Sequence, residues 1–302
     1  MFSGRVVLPL LLLAVLITVF LPFTRPNQKR TEPTAGSQLG VTGTSTSLWT
    51  PSSTDTSPAN TSLSSLQMAG LQPLKLMSIA PRRKHTATVI MIHGVGESGA
   101  SWKPNMERLA ADSGLSHVKW VLPSAILTGS EAVDAPWPAW FDVFKYPEDE
   151  AGILAAAREI NQLISAEVDA GIPSSRIVLG GFSQGGAMSI TTGLTSERKL
   201  AGVFVLSGWL PLTNKFKMMA SDHVKSIPIF WGHGKQDPVI SYQFGLRSVD
   251  ALQNRVGVPL ASQDAPQKGG ISFHAYDDLD HAASNKELRD LSDWLKIVLP
   301  AA

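Results

Sequence analysis

The segment from Ile177 to Ile190, IVLGGFSQGGAMSI, constrains this chain more than any other. Three large aliphatic residues run into two glycines, then Phe182-Ser183-Gln184, then two more glycines and a stretch compatible with a helix. Such a G-x-S-x-G pattern between a strand and a helix predicts a turn too sharp for ordinary side chains, with one serine at its apex. Glycines on both sides let the backbone close up without Cβ collisions. A hydroxyl raised there faces the N–H groups and positive dipole end of the following helix.

The rest of the sequence supplies the sheet that such a turn requires. Short apolar, β-branched runs at residues 86–92, 118–122, 177–180, 200–206, 227–231 and 271–276 read as strands. Residues 151–170, 244–256 and 286–298 carry apolar residues at helical spacing; the first has Ile153, Leu154, Ala157, Ile160, Leu163, Ile164 and Val168 on one face. Strand alternates with helix, so the predicted fold class is α/β. The expectation is a mostly parallel central sheet with helices on both faces and functional residues in loops at the carboxyl ends of the strands.

A serine hydroxyl is a weak nucleophile without a base, and a base needs an orienting carboxylate. In this fold they follow in the order Ser, Asp, His. His274 and His281 lie late enough. His274 falls inside the alternation of the last strand and reads as structural, whereas His281 sits in the polar loop after it. Asp237 follows the strand at 227–231; Asp222, Asp250 and Asp264 read as solvated charges, and Asp277, Asp278 and Asp280 stand too close to His281 along the chain to meet it comfortably. The predicted triad is Ser183, Asp237 and His281.

The first strand runs into His93-Gly94-Val95-Gly96-Glu97-Ser98-Gly99, which contains G-x-G-x-x-G. A dinucleotide site would place an acidic residue at the end of the next strand, which ends instead in Leu122-Pro123-Ser124. The other use of the geometry is an oxyanion hole formed by the backbone N–H groups of Val95 and Gln184. Composition narrows the field further. Lys plus Arg number 26 against 25 Asp plus Glu, a net charge of +1, which argues against a nucleic-acid partner. The absence of cysteine removes disulfides, thiolate nucleophiles, zinc fingers, Fe–S clusters and palmitoylation of the chain itself.

HGVGESG, Pro138-Ala139-Trp140-Phe141-Asp142, GIPSSRI at 171–177, GGFSQGGAMS, Ser207-Gly208-Trp209-Leu210-Pro211, Gly234 to Asp237-Pro238 and the late His281 resemble, in order and spacing, the acyl-protein thioesterase and carboxylesterase family of α/β-hydrolases. The resemblance covers roughly residues 71–300. It implies Ser183 as nucleophile, His281 as general base, Asp237 as its orienting acid, and Val95 with Gln184 as oxyanion donors. It implies S-acylated proteins, acyl esters or lysolipids as substrates, with neither metal nor organic cofactor. Trp137, Trp140, Phe141, Trp209, Leu210 and the stretch 121–127 are the expected acyl-channel lining. Three departures from the family pattern, Glu97 for aspartate, Gly208 for cysteine, and Leu122-Pro123-Ser124-Ala125, are expected near the acyl chain and bear on substrate preference.

Two segments precede this domain. Residues 6–23 form an apolar run of 18, flanked by Arg5 and by Arg25, Lys29 and Arg30, long enough as a helix to cross a bilayer core. Residues 1–30 are read as an uncleaved signal anchor attaching the chain to a membrane, because no small-x-small cleavage site follows. A cleaved signal, or a start at Met68 or Met77 giving a cytoplasmic or nuclear protein, are the alternatives. Residues 31–70 read as a disordered linker, 18 of residues 31–65 being Ser or Thr. Asn60-Thr61-Ser62 is an acceptor sequon that matters only in a lumen or outside the cell. Residues 71–302 are the hydrolase domain. Arg82-Arg83-Lys84 read as the solvated approach to the first strand, with contact to anionic lipid as the other use.

Overall fold

The computed structural model describes residues 74–130 and 133–301. The apolar run, the Ser/Thr-rich linker, the sequon and Met68 lie outside the described residues. Among the described residues no helix is long and apolar enough to cross a membrane. Met77 lies within the first strand, so a chain beginning there would lack that strand's first two residues.

Seven strands form one sheet in the order β1-β3-β2-β6-β7-β8-β9. They are β1 Lys75–Ile79, β2 Ala87–Ile92, β3 Val118–Ser124, β6 Ile177–Phe182, β7 Gly202–Leu206, β8 Pro228–Gly234 and β9 Gly270–Tyr276. β1 runs antiparallel to β3, and the other neighbours are parallel. β4 Leu127–Ser130 and β5 Val133–Pro138 form a separate antiparallel hairpin. Among the described residues the α-helices are α1 Gly99–Ala110, α2 Glu150–Asp169, α3 Gln184–Thr195, α4 Phe216–Met219, α5 Tyr242–Ala251 and α6 Asn285–Val298.

β2, β6, β7 and β8 are buried along their whole length, as expected for parallel strands covered on both faces. Alternate residues serve the two sides. Val89, Met91, Trp120, Phe204 and Phe230 pack with Trp102 and Met106 of α1 and Leu291, Trp294 and Leu295 of α6. On the other side, Ile90, Ile92, Ile177 and Leu179 meet α2, while Val203, Val205, Ile229 and Trp231 meet α3 and α5. Helix α3 is buried from Gln184 to Leu194. Its Ser189 and Thr191 hydroxyls donate to the carbonyls of Gly185 (2.7 Å) and Ala187 (2.8 Å), which offsets the cost of burying them, whereas the buried Thr192 hydroxyl has no partner.

The strand and helix positions read from the sequence stand within a few residues of those observed. The sequence reading passed over β1, the β4–β5 hairpin and α1. β1 is an edge strand exposed at Lys75, Leu76 and Ser78, and α1 carries Pro104, both of which blur the periodic signal. Arg82 is not a free surface charge: its guanidinium donates to the carbonyls of Ala111 (2.6 Å) and Asp112 (3.2 Å), closing the end of α1.

Candidate active site

Every loop that brings a polar group to the site leaves the carboxyl end of a parallel strand: β2 leads to Val95, β6 to Ser183, β8 to Asp237 and β9 to His281. Ser183 sits between β6 and α3 with φ +55° and ψ −121°, a conformation that L residues avoid. It is held there by close packing. A Cβ at Gly185 would collide with the carbonyl oxygen of Ile92, and one at Gly181 with the backbone of Gly185. The Ser183 N–H donates to Leu206 O at 2.9 Å, tying the strained residue to β7.

The Ser183 hydroxyl lies 2.9 Å from His281 Nε2, and His281 Nδ1 lies 2.8 Å from Asp237 Oδ2. With Nδ1–H donated to the carboxylate, Nε2 is left to accept from the hydroxyl. The other oxygen of Asp237 accepts the N–H groups of Val239 and Ile240, both at 2.9 Å. Three donors therefore fix the carboxylate's orientation. Asp237 and His281 side chains are 0% and 5% exposed, so little solvent screens their interaction. The Phe182 ring packs on the imidazole at 4.8 Å. The rival acids lie elsewhere: Asp277 pairs with Lys235 at the surface, and Asp278 and Asp280 are exposed. His274 stacks on Phe230 at 4.5 Å, a strand residue.

Gln184 does two things at once. Its N–H is among the first of α3, where no carbonyl inside the helix can accept it. Its side chain accepts from Trp140 N–H (3.0 Å) and donates to Phe141 O (2.8 Å), locking that segment against the helix start. Trp140 Nε1 donates to His93 O at 3.0 Å, joining the same segment to the loop after β2. Phe141 and Trp209 meet edge to face at 6.2 Å, and Trp137 packs with Phe144. These four aromatics belong to one apolar cluster with Val95. Leu210 does not join them. It packs in a separate cluster with Ile190, Leu194 and Phe216, and its N–H donates to Ser248 Oγ at 3.0 Å.

Four residues here escaped the sequence reading of roles. Glu97 is buried, and Oε2 accepts the N–H of Gly94 (2.8 Å) and the indole N–H of Trp102 (2.9 Å), bracing the loop that carries Val95. Burial raises its carboxyl above the ordinary range, and those two hydrogen bonds oppose the rise. His93 accepts Ala125 N–H at Nε2 (2.9 Å) and donates Nδ1–H to Gly94 O (2.7 Å); burial lowers it to about 4, so it is neutral. His233 donates Nε2–H to Ile240 O at 2.8 Å behind Asp237, its own basicity lowered by burial. Glu287, on the buried stripe of α6, is wholly enclosed. Ser124 braces its loop in a similar way, as Gly99 N–H donates to Ser124 Oγ at 3.1 Å. Gly208 lies against Gly186 and Val205, where a side chain would press.

The fold, with a hydrogen-bonded acid, imidazole and hydroxyl above the carboxyl edge of its sheet, is that of the α/β-hydrolases, and the chain is a hydrolase. Within that class it belongs to the phospholipase/carboxylesterase family, whose profile matches residues 75–299. It is 46% identical over 231 residues to acyl-protein thioesterase 1 of Cryptococcus neoformans, covering 74% of this chain and 96% of that protein. It is 42% identical over 244 residues to acyl-protein thioesterase 1 of Mycosarcoma maydis, covering 76% and 98%. Among solved structures, Arabidopsis thaliana SOBER1 superposes with a TM-score of 0.64 at 30% identity, over 71% of this chain and 99% of that one. Zea mays acyl-protein thioesterase 2 gives 0.63 at 29%, over 74% and 99%.

Proposed function

We propose that this hydrolase removes long acyl chains from S-acylated cysteines of proteins, with Ser183 as nucleophile, His281 as general base and Asp237 as the orienting acid. The observation that carries the reading is the continuous Ser183–His281–Asp237 hydrogen-bond chain, in a protein 46% identical to one named an acyl-protein thioesterase.

The steps follow from the geometry. As Ser183 Oγ attacks the thioester carbonyl, its proton passes to His281 Nε2, and Asp237 stabilises the imidazolium. The carbonyl oxygen becomes an alkoxide received by the backbone N–H groups of Val95 and Gln184. The C–S bond breaks, the cysteine sulfur leaves with the proton from His281, and Ser183 keeps the acyl group as an ester. Water then attacks that ester with His281 as base, releasing the fatty acid and restoring the serine. Trp137, Trp140, Phe141 and Trp209 offer the apolar wall for the chain. Leu210, turned into the core, contributes only indirectly.

The second reading, cleavage of oxygen esters of carboxylic acids or lysolipids, uses the same machinery and is favoured by the family's own description. For localisation we propose that residues 1–30 hold the enzyme at a membrane. Its side decides its substrates, since a domain facing the cytosol meets S-acylated proteins and one facing a lumen does not meet most of them. Labelling of the full chain in detergent with a fluorophosphonate probe tests the site: Ser183 takes up the probe and Ser183→Ala does not. An unlabelled wild type would overturn the assignment.

A further inference from the structure

Helix α6 carries a residue at odds with its buried stripe. Leu288, Leu291, Trp294, Leu295 and Val298 turn inward, and Glu287 is buried with them at 0% exposure. Ser284 Oγ accepts the Glu287 N–H at 3.0 Å. A Ser-x-x-Glu capping box would bring the glutamate side chain back to the Ser284 N–H. Here the carboxyl is wholly enclosed: neither oxygen makes a hydrogen bond of good geometry, and the Ser284 N–H is the one donor that acts on it.

The carboxyl occupies the space that Gly232 leaves on β8: a Cβ there would touch Glu287 Oε1 and lie 3.1 Å from its carboxyl carbon. β8 runs on from Gly232 through His233 and Gly234 into the loop that bears Asp237. The charged and titratable groups around it are otherwise engaged. Lys286 pairs with Asp290 at 2.7 Å, and Tyr276 donates its hydroxyl to the same carboxylate at 3.0 Å. His274 stacks on Phe230, Lys235 pairs with Asp277, His233 donates to Ile240 O, and His281 lies between Asp237 and Ser183. Among the described residues no cation pairs with Glu287. An enclosed carboxylate with one weak backbone donor and no counter-ion is far costlier than the acid form.

We propose that Glu287 is a positioning residue for the triad: a carboxyl kept as the neutral acid behind Asp237, so that Asp237 alone presents negative charge to His281, and whose loss of its proton closes the active range on the alkaline side. The inference rests on Asp237 as the orienting acid. Burial raises the Glu287 carboxyl to about 8; the Ser284 backbone N–H opposes the rise, and the Asp237 and Asp290 charges add to it. Once ionised, it repels Asp237 and seeks water, and both motions pull α6 from β8 and disturb the loop that aims His281.

The experiment uses the full chain in detergent and the variant Glu287→Gln, which matches the shape of the acid form and never ionises. At pH 7 the variant keeps kcat/KM within about threefold of wild type, and the acid limb of the two profiles coincides. Above pH about 8 the wild type loses about tenfold per pH unit, and the variant does not. In the infrared, wild type at pH 7 shows a protonated-carboxyl C=O band that disappears in step with activity and is missing from the variant. The same alkaline limb in both proteins, or a tenfold or greater loss in the variant at pH 7, would overturn the proposal. If the variant does not fold, the wild-type spectrum decides alone: no protonated-carboxyl band vanishing with the alkaline loss sinks it. A wild type inactive at every pH but with that band would instead refute the hydrolase mechanism.

Discussion

Replacing Gln184 by leucine separates the two tasks of the residue after the serine. The side chain is fully buried and serves the backbone of the neighbouring segment, accepting from Trp140 N–H and donating to Phe141 O. Leucine fills similar space and leaves both backbone groups buried without partners. Each orphan costs about 1–3 kcal/mol, so together about 2–6 kcal/mol is lost. For a domain of this size, about 2–4 °C per kcal/mol converts that to a fall in Tm of roughly 4–24 °C. The N–H proposed as an oxyanion donor belongs to the main chain and survives the change. Turnover of a short acetate ester therefore stays within about tenfold of wild type, while a long-chain ester suffers more because the Trp137 to Phe141 segment is loosened. Thermal unfolding by near-UV circular dichroism, with kinetics on both esters, reads all three effects. A Tm within about 1 °C of wild type would refute the reasoning, since two orphaned groups cannot be that cheap.

Asp237→Asn and His281→Ala should each lower turnover by about 10⁴-fold with unchanged far-UV circular dichroism, and near-normal activity in Asp237→Asn would remove it from the triad. Glu97→Leu strips the acceptor from Gly94 N–H and Trp102, and should slow the reaction about 10–100-fold by displacing the Val95 amide; Glu97→Gln, which keeps an acceptor oxygen, should recover most of it, and equal rates in both variants would contradict the bracing role. His93, held at about 4 in the fold, takes up its proton in the unfolded chain near 6.5. The unfolded state thus binds more protons between those values, so its contribution is whole above pH 6.5 and falls by up to about 3 kcal/mol as pH drops through 4. Imidazole ¹⁵N shifts should show the neutral Nδ1–H tautomer persisting at pH about 5, and a protonated ring there would refute it.

What could be read in the sequence was whatever is encoded locally. The parallel strands announce themselves because burial on both faces demands unbroken β-branched runs, as in Thr86 to Ile92, and Ser183 because its strained turn demands glycines at 181 and 185. Asp237 and His281 followed from chain order and strand ends. The β4–β5 hairpin is hidden in the sequence because Pro136 and Pro138 of β5 read as loop, yet a two-stranded ribbon tolerates them at its edges. Trp209 and Leu210 are neighbours in sequence but pack in separate clusters, a divergence that adjacency conceals. Glu97 and His93 owe their roles to partners fixed only by the folded loop. Glu287 did leave a trace, being spaced with Leu291, Trp294 and Leu295 on the inward stripe of α6, though it also fits a capping box, and only the fold separates the two.

The most direct test of the account compares release of palmitate by the full chain in detergent from an S-palmitoylated peptide and from its O-palmitoyl counterpart, with Ser183→Ala as blank. The account predicts Ser183-dependent release that is much faster from the thioester, whose sulfur is the better leaving group and depends less than an alkoxide on the proton that His281 delivers. Fast ester cleavage beside slow thioester turnover would contradict the thioesterase assignment and move the enzyme to oxygen esters. Release unaffected by Ser183→Ala would contradict the mechanism itself.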